Sequence, residues 1–425
     1  EFDIRPQQTA MAEAVAGALS APSHLAVEAG TGVGKTYAYL LPLIRHALRS
    51  GEPAAVSTYT ISLQEQLVFK DIPFLQRHIG LDFKVASGKG RGNYICLRLL
   101  KRARRMGGDL FVPSQALEVD RIWDWAMQTT DGSLSDMADQ PRSDIWAQVG
   151  SEADNCLGER CPHRLGGSCF LARARARAEA AHVVIVNHAL LLSDVALEGR
   201  LLPDFQHLII DEAHLVNPNG SDAGRYRKLL TDLAKTCNFR AVGLTATPFR
   251  GNGVWLTDGE APLFTGIAAT ITVQELLDAG YLAPLVRPSD VLATRIDTSD
   301  IKTTSGDYNL GDLAERVDTY LPAAAAESAS IAADRKKWIA FLPTVAGAQH
   351  FVDCLGAVGV HAALVCGETP AKERASLIDD FRAGRLRCLV TVLALATGFD
   401  VPDVDCILWL RPTISPVLYL SLIHI

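Results

Sequence analysis

A glycine-rich loop followed by lysine and threonine is the residue pattern with the clearest chemistry in the sequence. In such a loop, backbone N–H groups close around phosphates, the lysine meets the β- and γ-phosphates, and the threonine hydroxyl ligates Mg²⁺. The residues concerned are Ala29, Gly30, Thr31, Gly32, Val33, Gly34, Lys35 and Thr36. We therefore predict a Mg-ATP site here. A chance match is the alternative, and the apolar run before the loop and the helical pattern after it weigh against that alternative.

An acidic motif follows a second apolar run. Asp211, Glu212 and His214 come directly after Leu208–Ile210, so a carboxylate pair is expected at the carboxyl end of a strand. Asp211 would hold the Mg²⁺ shell, Glu212 would orient or deprotonate the attacking water, and His214 would relay the nucleotide state. A solvated strand end is the alternative for so short a motif. Its combination with the phosphate loop favours ATP hydrolysis.

Four cysteines form a second candidate site. Cys156, Cys161 and Cys169 fall within 14 residues, and Cys96 lies upstream. Thiolates suit both iron–sulfur clusters and zinc, but the two tight Cys-x-x-Cys pairs typical of zinc are missing from the sequence. Independent buried cysteines are the third alternative. Nine cysteines among 425 residues are too few for a disulfide framework.

Short apolar runs alternate with helical patterns, which predicts an α/β fold with parallel sheets in two tandem domains. We place the first domain at 1–87 and 182–280, an insertion at 88–181 and the second domain at 281–425. A helix and connector are predicted over Thr272–Pro288, and a loop over Ser299–Tyr308. The strands of the first series are predicted at His24–Glu28, Ala54–Thr58, Val183–Asn187, His207–Ile210 and Ala241–Thr245, and those of the second at Trp338–Leu342, His361–Val365, Arg387–Thr391 and Cys406–Leu410.

Basic residues flank the insertion's cysteines. One cluster spans Arg98–Arg105, and the other contains Arg173, Arg175 and Arg177. Charge alone also fits a solvated helix face, but the position of both clusters favours contact with a nucleic-acid backbone. For the tryptophans Trp123, Trp125 and Trp146, core packing is favoured over stacking on bases.

Composition excludes several classes of protein. A net charge of −7 argues against a protein that coats nucleic acid by bulk attraction, although a locally basic groove is compatible with it. The sequence has neither an uncharged apolar run long enough to cross a membrane nor a signal-peptide pattern at residue 1. We expect a cytoplasmic protein without a membrane partner. Because residue 1 is not Met, we also expect that the chain is part of a longer reading frame.

These motifs, in this order, resemble those of superfamily 2 helicases, which implies two RecA-like motor domains. Arg5–Gln8 resembles the adenine-recognising element, with Gln8 as the implied contact to the base. Ser57–Gln66 resembles the loop that touches single-stranded backbone, and Thr245–Thr247 resembles the motif that couples hydrolysis to strand handling. Thr397–Asp400 resembles the second-domain element, in which Gly398 and Asp400 would meet the nucleotide.

Residues 1–214 resemble the DinG and XPD branch. The resemblance rests on Gly88–Cys96, the three downstream cysteines and Val183–His188. It implies a [4Fe-4S] cluster on Cys96, Cys156, Cys161 and Cys169, and a role in DNA repair. Such a cluster would pin a loop-rich insertion.

Residues 215–419 resemble RadD-type helicases instead, through Leu215–Gly220, Gly243–Arg250, Glu275–Pro284 and Thr397–Asp403. Only 30 residues separate His214 from Thr245, so the arch domain of the first family has no room there. A change of resemblance at a shared motif predicts a chimera made by recombination or assembly error. Leu420–Ile425 stands where the family continues into an arginine motif, so we expect a truncated second domain that lacks those arginines.

The sequence therefore predicts an ATP-dependent DNA helicase or translocase that moves on single-stranded DNA, with RNA as the open alternative for the strand. Its cofactors would be ATP, Mg²⁺ and the [4Fe-4S] cluster, and it would act as a monomer. An ATP-gated nucleic-acid-binding protein without unwinding activity is the first rival. A non-functional chimeric fragment is the second.

Overall fold

The computed structural model describes residues 5–21, 24–30, 33–106, 113–137, 139–196, 202–215, 226, 228–229, 239–249, 254–258, 262, 264–281, 296–304, 307–392, 401 and 403–415. Two compact units divide the chain. The first unit contains Glu1–Glu28, Gly34–Thr245 and Leu256–Thr270, and the second contains Ala29–Val33, Ala246–Trp255 and Ile271–Ile425.

Parallel strands form the main sheet of each unit, which confirms the predicted α/β class. The first sheet has seven strands in the order β3-β4-β2-β5-β6-β1-β7, and the second has four in the order β11-β12-β10-β13. The strands of the first sheet are β1 (Leu25–Ala29), β2 (Ala54–Thr58), β3 (Val85–Ser87), β4 (Val183–Asn187), β5 (His207–Ile210), β6 (Arg240–Thr245) and β7 (Gly266–Ile271). The second sheet contains β10 (Trp338–Phe341), β11 (Ala362–Val365), β12 (Cys388–Thr391) and β13 (Cys406–Trp409), and a separate antiparallel pair is formed by β8 (Thr303–Thr304) and β9 (Asp307–Tyr308).

Helices surround these strands. In the first unit they are α1 (Pro6–Ser20), α2 (Lys35–Ser50), α3 (Ile61–Gln66), α4 (Ile72–His78), α5 (Leu97–Arg105), α6 (Pro113–Gln128), α7 (Ser143–Val149), α8 (Pro162–Leu165), α9 (Phe170–Glu179) and α10 (His188–Ala196). The second unit contains α11 (Val273–Asp278), α12 (Leu310–Asp318), α13 (Leu321–Ile331), α14 (Val345–Ala357) and α15 (Ala371–Arg382).

Burial explains why the central strands form where they do. Every residue of β2 and of β5 is buried, because both faces of a parallel sheet are covered. Strand β2 pairs with β4 on one side and β5 on the other, and β5 in turn pairs with β6. Parallel pairing brings the carboxyl ends of these strands to one edge of the sheet, which is where α/β proteins bind ligands.

Helix α2 is bounded by two left-handed residues. Gly34 precedes it with φ +79°, and Gly51 follows it with φ +75°. The Gly51 N–H closes the last turn on the Ala47 carbonyl at 3.0 Å. Glycine adopts this conformation without the Cβ clash that other residues suffer, so these two positions set the helix bounds.

Helices α5, α6, α7 and α9 pack around a core of their own. This core includes Tyr94, Leu100, Ile122, Ile145 and Phe170. Trp146 is buried in it, and its indole N–H donates to the Gly92 carbonyl at 2.8 Å. Trp123 and Trp125 pack against the same core, as predicted for the tryptophans.

Three of the predicted strands have the observed bounds, the strand predicted at His24–Glu28 is shifted by one residue at both ends, and the others differ by one residue at one end. The prediction missed β3 and β7, the two edge strands of the large sheet. The prediction of a loop over Ser299–Tyr308 was wrong in part, because β8 and β9 form a short hairpin there. Part of Thr272–Pro288 forms α11, and residues 282–288 lie outside the described residues. Among the described helices, none is both long and apolar enough to cross a membrane.

Candidate nucleotide-binding site

Gly34 marks the point where the phosphate loop becomes a helix. Its φ of +79° is left-handed, and a Cβ at this position would lie 2.3 Å from Gln8 Nε2. That amide nitrogen donates a hydrogen bond to the Gly34 carbonyl at 3.1 Å. The predicted adenine contact Gln8 thus lies on α1 against the end of the loop. Ala29 is the last residue of β1, Gly30 and Val33 lie between β1 and α2, and Thr31 and Gly32 are outside the described residues.

Lys35 opens α2, and Thr36 follows in its first turn. The Lys35 side chain is 14% exposed, and its Nζ lies 3.9 Å from Glu212 Oε1. Within the described parts of the chain, this buried ammonium has no hydrogen-bond partner. A buried charged group without a hydrogen-bond partner is costly, and an anionic acceptor such as a phosphate oxygen would offset that cost.

Asp211 lies at the carboxyl end of β5. Its backbone N–H donates to the Ser57 carbonyl at 2.9 Å, and its Oδ1 accepts from the Glu212 N–H at 3.1 Å. Burial, and then the neighbouring Glu212 charge, raises the pKa of Asp211 to about 6, while Lys35 opposes the shift. A divalent cation would reverse this balance because it favours the ionised carboxylate.

Glu212 has a left-handed backbone, with φ +56°. It is the one residue other than glycine with positive φ in the described part of the chain. Non-glycine residues pay for this conformation, and such strain concentrates at functional sites. Here it turns the Glu212 carboxylate toward Lys35 on one side and His214 on the other, at 3.9 Å and 3.4 Å.

His214 connects the acidic motif with the neighbouring strand. Its Nδ1 lies 2.9 Å from the hydroxyl of Thr245, which ends β6. Thr245 is fully buried and belongs to the predicted coupling motif Thr245–Thr247. A single imidazole therefore contacts both the carboxylate of Glu212 and the first residue of that motif.

His188 is a site residue to which the sequence analysis assigned no role. It follows β4, and its Nδ1 lies 2.6 Å from the Ser57 hydroxyl at the end of β2. Burial lowers the pKa of His188 to about 4, so the ring is neutral near pH 7. The signal was available in the sequence, because the polar residues Asn187 and His188 directly follow the apolar run Val183–Val186.

The motif Ser57–Gln66 divides into buried and exposed residues. Ser57 and Thr58 are fully buried, and Gln64 is 1% exposed. The Gln64 Nε2 atom donates to the carbonyls of Gly88 and Ile185 at 2.7 and 2.8 Å, so it bridges the residue after β3 and the middle of β4. Tyr59 and Ile61, at 52% and 43% exposure, are two large apolar residues of this motif that are exposed to solvent.

Three of the four predicted cluster cysteines stand directly before helices. Cys96 precedes α5, Cys161 precedes α8 and Cys169 precedes α9. Each of these cysteines is thus the residue that immediately precedes the first turn of its helix. The Cys96 N–H donates to the Val149 carbonyl and the Cys169 N–H to the His163 carbonyl, both at 2.9 Å.

The thiols differ in their surroundings. A backbone hydrogen bond from Gly158 and the guanidinium of Arg91 lower the pKa of Cys156. Burial raises the pKa of Cys96, and the nearby Cys161 thiol adds to that shift.

Among the described residues, no three of the cysteine sulfurs lie within 4.8 Å of one another. In a tetrahedral zinc site with Zn–S bonds of about 2.3 Å, the sulfurs lie about 3.8 Å apart. The four thiols are thus spread more widely than one zinc ion requires.

The basic clusters are partly neutralised within the insertion. Arg104 pairs with Asp120 at 2.8 Å, and Arg177 pairs with Asp131 at 3.2 Å. In contrast, exposed cations of α5 make no ion pair with any residue that the structure describes. These cations are Lys101, Arg102 and Arg105.

The predicted second-domain contacts Gly398 and Asp400 lie outside the described residues, as does the rest of Thr397–Asp400.

Residues 324–424 match the family described as helicase conserved C-terminal domain. The ATP-dependent DNA helicase YoaA of Escherichia coli is 42% identical over 219 residues, which are 50% of this chain and 33% of that relative. The ATP-dependent helicase DinG of Mycobacterium tuberculosis is 40% identical over 227 residues, or 49% of this chain and 34% of the relative. The chain therefore spans about a third of the length of these relatives.

Two solved structures share the fold. The DEAD-box helicase Mss116 bound to ssRNA and UDP-BeF matches with a TM-score of 0.53 and 14% identity, covering 99% of this chain and 66% of that one. The ATP-dependent Type ISP restriction-modification enzyme LlaBIII bound to DNA also gives a TM-score of 0.53, at 12% identity over 100% of this chain and 26% of the enzyme. At these identities the likeness concerns the fold alone.

Proposed function

The chain is related to the DinG group of superfamily 2 helicases, and from this premise we propose that it is an ATP-dependent DNA translocase. It binds Mg-ATP at the loop before α2 and couples hydrolysis to movement on single-stranded DNA. The observation that carries the proposal is the buried Lys35 ammonium, which has no hydrogen-bond partner in the described chain and lies 3.9 Å from the Glu212 carboxylate.

The roles in hydrolysis follow from charge and position. Lys35 neutralises the β- and γ-phosphates, and Glu212 orients the attacking water or accepts its proton. Thr36 and Asp211 would hold Mg²⁺, which supplies charge neutralisation to the phosphates when it is bound. The raised pKa of Asp211 supports this assignment, because a buried carboxyl beside a second carboxylate is the site that a divalent cation stabilises.

His214 is proposed to transmit the state of the nucleotide. It lies 3.4 Å from Glu212 and 2.9 Å from Thr245, so a change at the water-orienting carboxylate alters the hydrogen bond to Thr245. Thr245 begins the motif assigned to coupling. Gln8 is proposed to contact the adenine, with its hydrogen bond to the Gly34 carbonyl linking base recognition to the phosphate loop.

Helix α5 supports single-stranded DNA as the track. Its exposed cations Lys101, Arg102 and Arg105 are available for phosphates, and Tyr59 presents an exposed ring after β2. The relative YoaA is described as a DNA helicase, which favours DNA over RNA.

The salt dependence of binding tests this surface. The logarithm of the DNA-binding constant falls linearly with the logarithm of the salt concentration. Removing one contact to a phosphate should reduce the magnitude of this slope by about one. Arg102→Gln and Arg105→Gln should each show this reduction in fluorescence anisotropy titrations with an oligonucleotide. Arg104→Gln on the same helix is the matched control, because Arg104 is paired with Asp120 at 2.8 Å. Equal slopes for all three variants and the parent would show that these α5 cations do not contact the DNA.

Cys96, Cys156, Cys161 and Cys169 are proposed to hold a [4Fe-4S] cluster. The donors are all thiols, three of them precede helices, and their sulfurs are spread more widely than a zinc tetrahedron. When bound, the cluster supplies a structural crosslink. It would join α5, α8 and α9, so that α5 and its cations keep their orientation.

Anaerobic purification tests the cluster. Brown protein with a broad visible absorption band, and iron and acid-labile sulfide in equal amounts, is the expected result. Cys169→Ser should abolish the colour, whereas Cys354→Ser in the second unit should retain it, because that cysteine lies outside the four. Stoichiometric zinc without iron would overturn the assignment.

The domain limits are proposed as 1–87 with 182–280 for the first motor domain, 88–181 for the cluster insertion and 281–425 for the second motor domain. The match of 324–424 to a helicase C-terminal domain supports the last of these. Gly398 and Asp400 of the second domain are proposed to contact the nucleotide.

ATPase measured with and without single-stranded DNA tests the central proposal. Lys35→Ala should lower the DNA-stimulated rate by on the order of 10²–10³, as expected when one preorganised charge donor is removed. Lys84→Ala is the matched control, since Lys84 is an exposed lysine of the same unit. An ATPase that DNA does not stimulate would refute translocation, and equal rates for Lys35→Ala and the parent would refute the phosphate contact.

A second function is favoured by the short segment of 30 residues between His214 and Thr245. A chain without an inserted domain there could couple ATP to strand binding without separating a duplex. A forked duplex distinguishes the two functions. Strand separation requires the helicase function, whereas nucleotide-dependent strand affinity without separation indicates the ATP-gated binding protein.

A further inference from the structure

Two histidines and a glutamate converge at the start of β5, away from the residues assigned to ATP. His46 lies in the last turns of α2, Glu52 precedes β2, and His207 is the first residue of β5. His207 Nε2 lies 3.0 Å from His46 Nε2 and 2.9 Å from Glu52 Oε2. One donor atom from each residue falls within 4.8 Å of the other two.

We propose that His46, Glu52 and His207 form a site for a divalent transition metal, with Zn²⁺ as the best fit. Two imidazoles and a carboxylate are a donor set that zinc accepts, and imidazole nitrogen selects zinc over Mg²⁺ or Ca²⁺. Zinc bonds of about 2.0–2.1 Å in a tetrahedron place neighbouring donor atoms about 3.3 Å apart. The observed 2.9 and 3.0 Å separations require only a small outward shift.

Hydrogen bonds alone do not satisfy both short contacts of His207 Nε2 in the way a metal ion would. A neutral imidazole nitrogen is either a donor or an acceptor, so His207 Nε2 cannot donate to Glu52 and also accept from His46. A cation in the centre accepts lone pairs from all three side chains at once. The His207 side chain is 5% exposed, so its ring is held in place, whereas Glu52 is 38% exposed and leaves a side open for a water ligand.

The surroundings of the second His207 ring nitrogen predict a moderate affinity for zinc. His207 Nδ1 is buried and has no hydrogen-bond partner among the described residues. Metal-bound imidazoles usually donate their second N–H to an acceptor, and metal affinity is about 10- to 100-fold lower without that hydrogen bond. The proposed site should therefore bind zinc more weakly than a site with a complete outer shell.

The elements that carry the ligands suggest what the metal does. Helix α2 begins with Lys35 and carries His46 eleven residues later, about 16 Å along the helix. Strand β5 begins with His207 and ends directly before Asp211. A metal here would fasten the far ends of the two elements that position the phosphate lysine and the Mg²⁺ carboxylate. It would act as a structural clip, separate from the Mg²⁺ of the nucleotide.

Cobalt titration of the anaerobically purified, nucleotide-free protein tests the site, because Co²⁺ is a coloured substitute for Zn²⁺. Nitrogen and oxygen ligands give visible d–d bands without the sulfur-to-cobalt charge-transfer band that thiolates produce. We expect each chain to bind one Co²⁺ ion with these d–d bands. Addition of Zn²⁺ should raise the unfolding temperature. Glu52→Gln and His46→Ala should each weaken Co²⁺ binding by at least about tenfold.

His350→Ala is the matched control. His350 contacts Asp318 at 2.8 Å in an exposed pair of the second unit, which lacks a third ligand among the described residues. Its substitution should leave the cobalt signal unchanged. Circular dichroism confirms that the Glu52 and His46 variants are folded. Three results would overturn the proposal: no d–d band, a band with thiolate charge transfer only, or a band that Glu52→Gln and His46→Ala leave intact.

Discussion

Replacing Gly34 by alanine should lower the free energy of unfolding for two reasons, the backbone conformation and a clash with Gln8. The backbone φ of +79° is left-handed, and an alanine there loses about 1–2 kcal/mol. The new Cβ would also lie 2.3 Å from Gln8 Nε2. Because that atom ends a flexible side chain, Gln8 can swing away at the cost of its hydrogen bond to the Gly34 carbonyl, about 0.5–1.5 kcal/mol.

Together these costs predict a destabilisation of about 1.5–3.5 kcal/mol for Gly34→Ala, with the backbone conformation as the larger part. In a Gln8→Ala background the clash and the hydrogen bond are both absent. The same substitution should then cost only the backbone part. The double-mutant cycle should therefore return a coupling of about 0.5–1.5 kcal/mol.

Gly51→Ala provides the control on the same helix. Gly51 has φ +75°, but among the described residues no atom beyond its chain neighbours lies within 4 Å of the point that a Cβ would occupy, so its substitution measures the backbone cost alone. Urea unfolding gives the stabilities, and titration with a fluorescent ATP analogue gives nucleotide affinity. Gly34→Ala should lower both stability and affinity, whereas Gly51→Ala should lower stability only.

Two results would refute this reasoning. If Gly34→Ala costs no more than Gly51→Ala, the contact with Gln8 has no energetic weight. If Gln8→Ala leaves the cost of Gly34→Ala unchanged, the two residues are not coupled across the loop.

The other predictions concern Asp211, His188 and Thr245. The pKa of Asp211 is raised to about 6, so the folded carboxyl holds its proton longer than the unfolded one and stability falls as pH rises from about 4 to about 6. Metal-free Asp211→Asn should therefore be more stable than the parent at about pH 8, by on the order of 2–3 kcal/mol in urea unfolding, and equal stabilities would contradict the shift. The pKa of His188 is lowered to about 4, so the parent should lose on the order of 2 kcal/mol between about pH 7 and about pH 5, a loss that a folded His188→Asn variant should not show. Thr245→Val removes the hydroxyl that His214 contacts at 2.9 Å, and DNA-stimulated ATPase should fall by about 2- to 12-fold while the basal rate changes less. A parallel fall of both rates would place Thr245 in hydrolysis rather than coupling.

The sequence was most informative where strands are buried on both faces. Ala54–Thr58, Val183–Asn187 and His207–Ile210 were predicted with their observed bounds. Each contains three or four consecutive apolar residues, at 54–56, 183–186 and 208–210, which is the pattern of a central parallel strand. The two missed strands, Val85–Ser87 and Gly266–Ile271, form the edges of the same sheet. An edge strand is covered less completely, so its residues carry a weaker apolar signal.

The sequence by itself determined which chemical groups the protein possesses and the local elements that carry them. The phosphate loop, the acidic motif and the thiols preceding helices are contiguous patterns, so chain order is enough to find them. Only the tertiary structure decided which groups meet. Lys35 and Glu212 lie 3.9 Å apart, Ser57 and His188 2.6 Å apart, although many residues separate each pair.

Strand order is the physical reason for this division. Parallel pairing places β2 between β4 and β5, and β6 between β5 and β1, in an order unrelated to the sequence. Residues at both ends of these strands therefore become neighbours through sheet pairing. The contact between Glu52 and His207 at one end and that between His214 and Thr245 at the other both arise in this way.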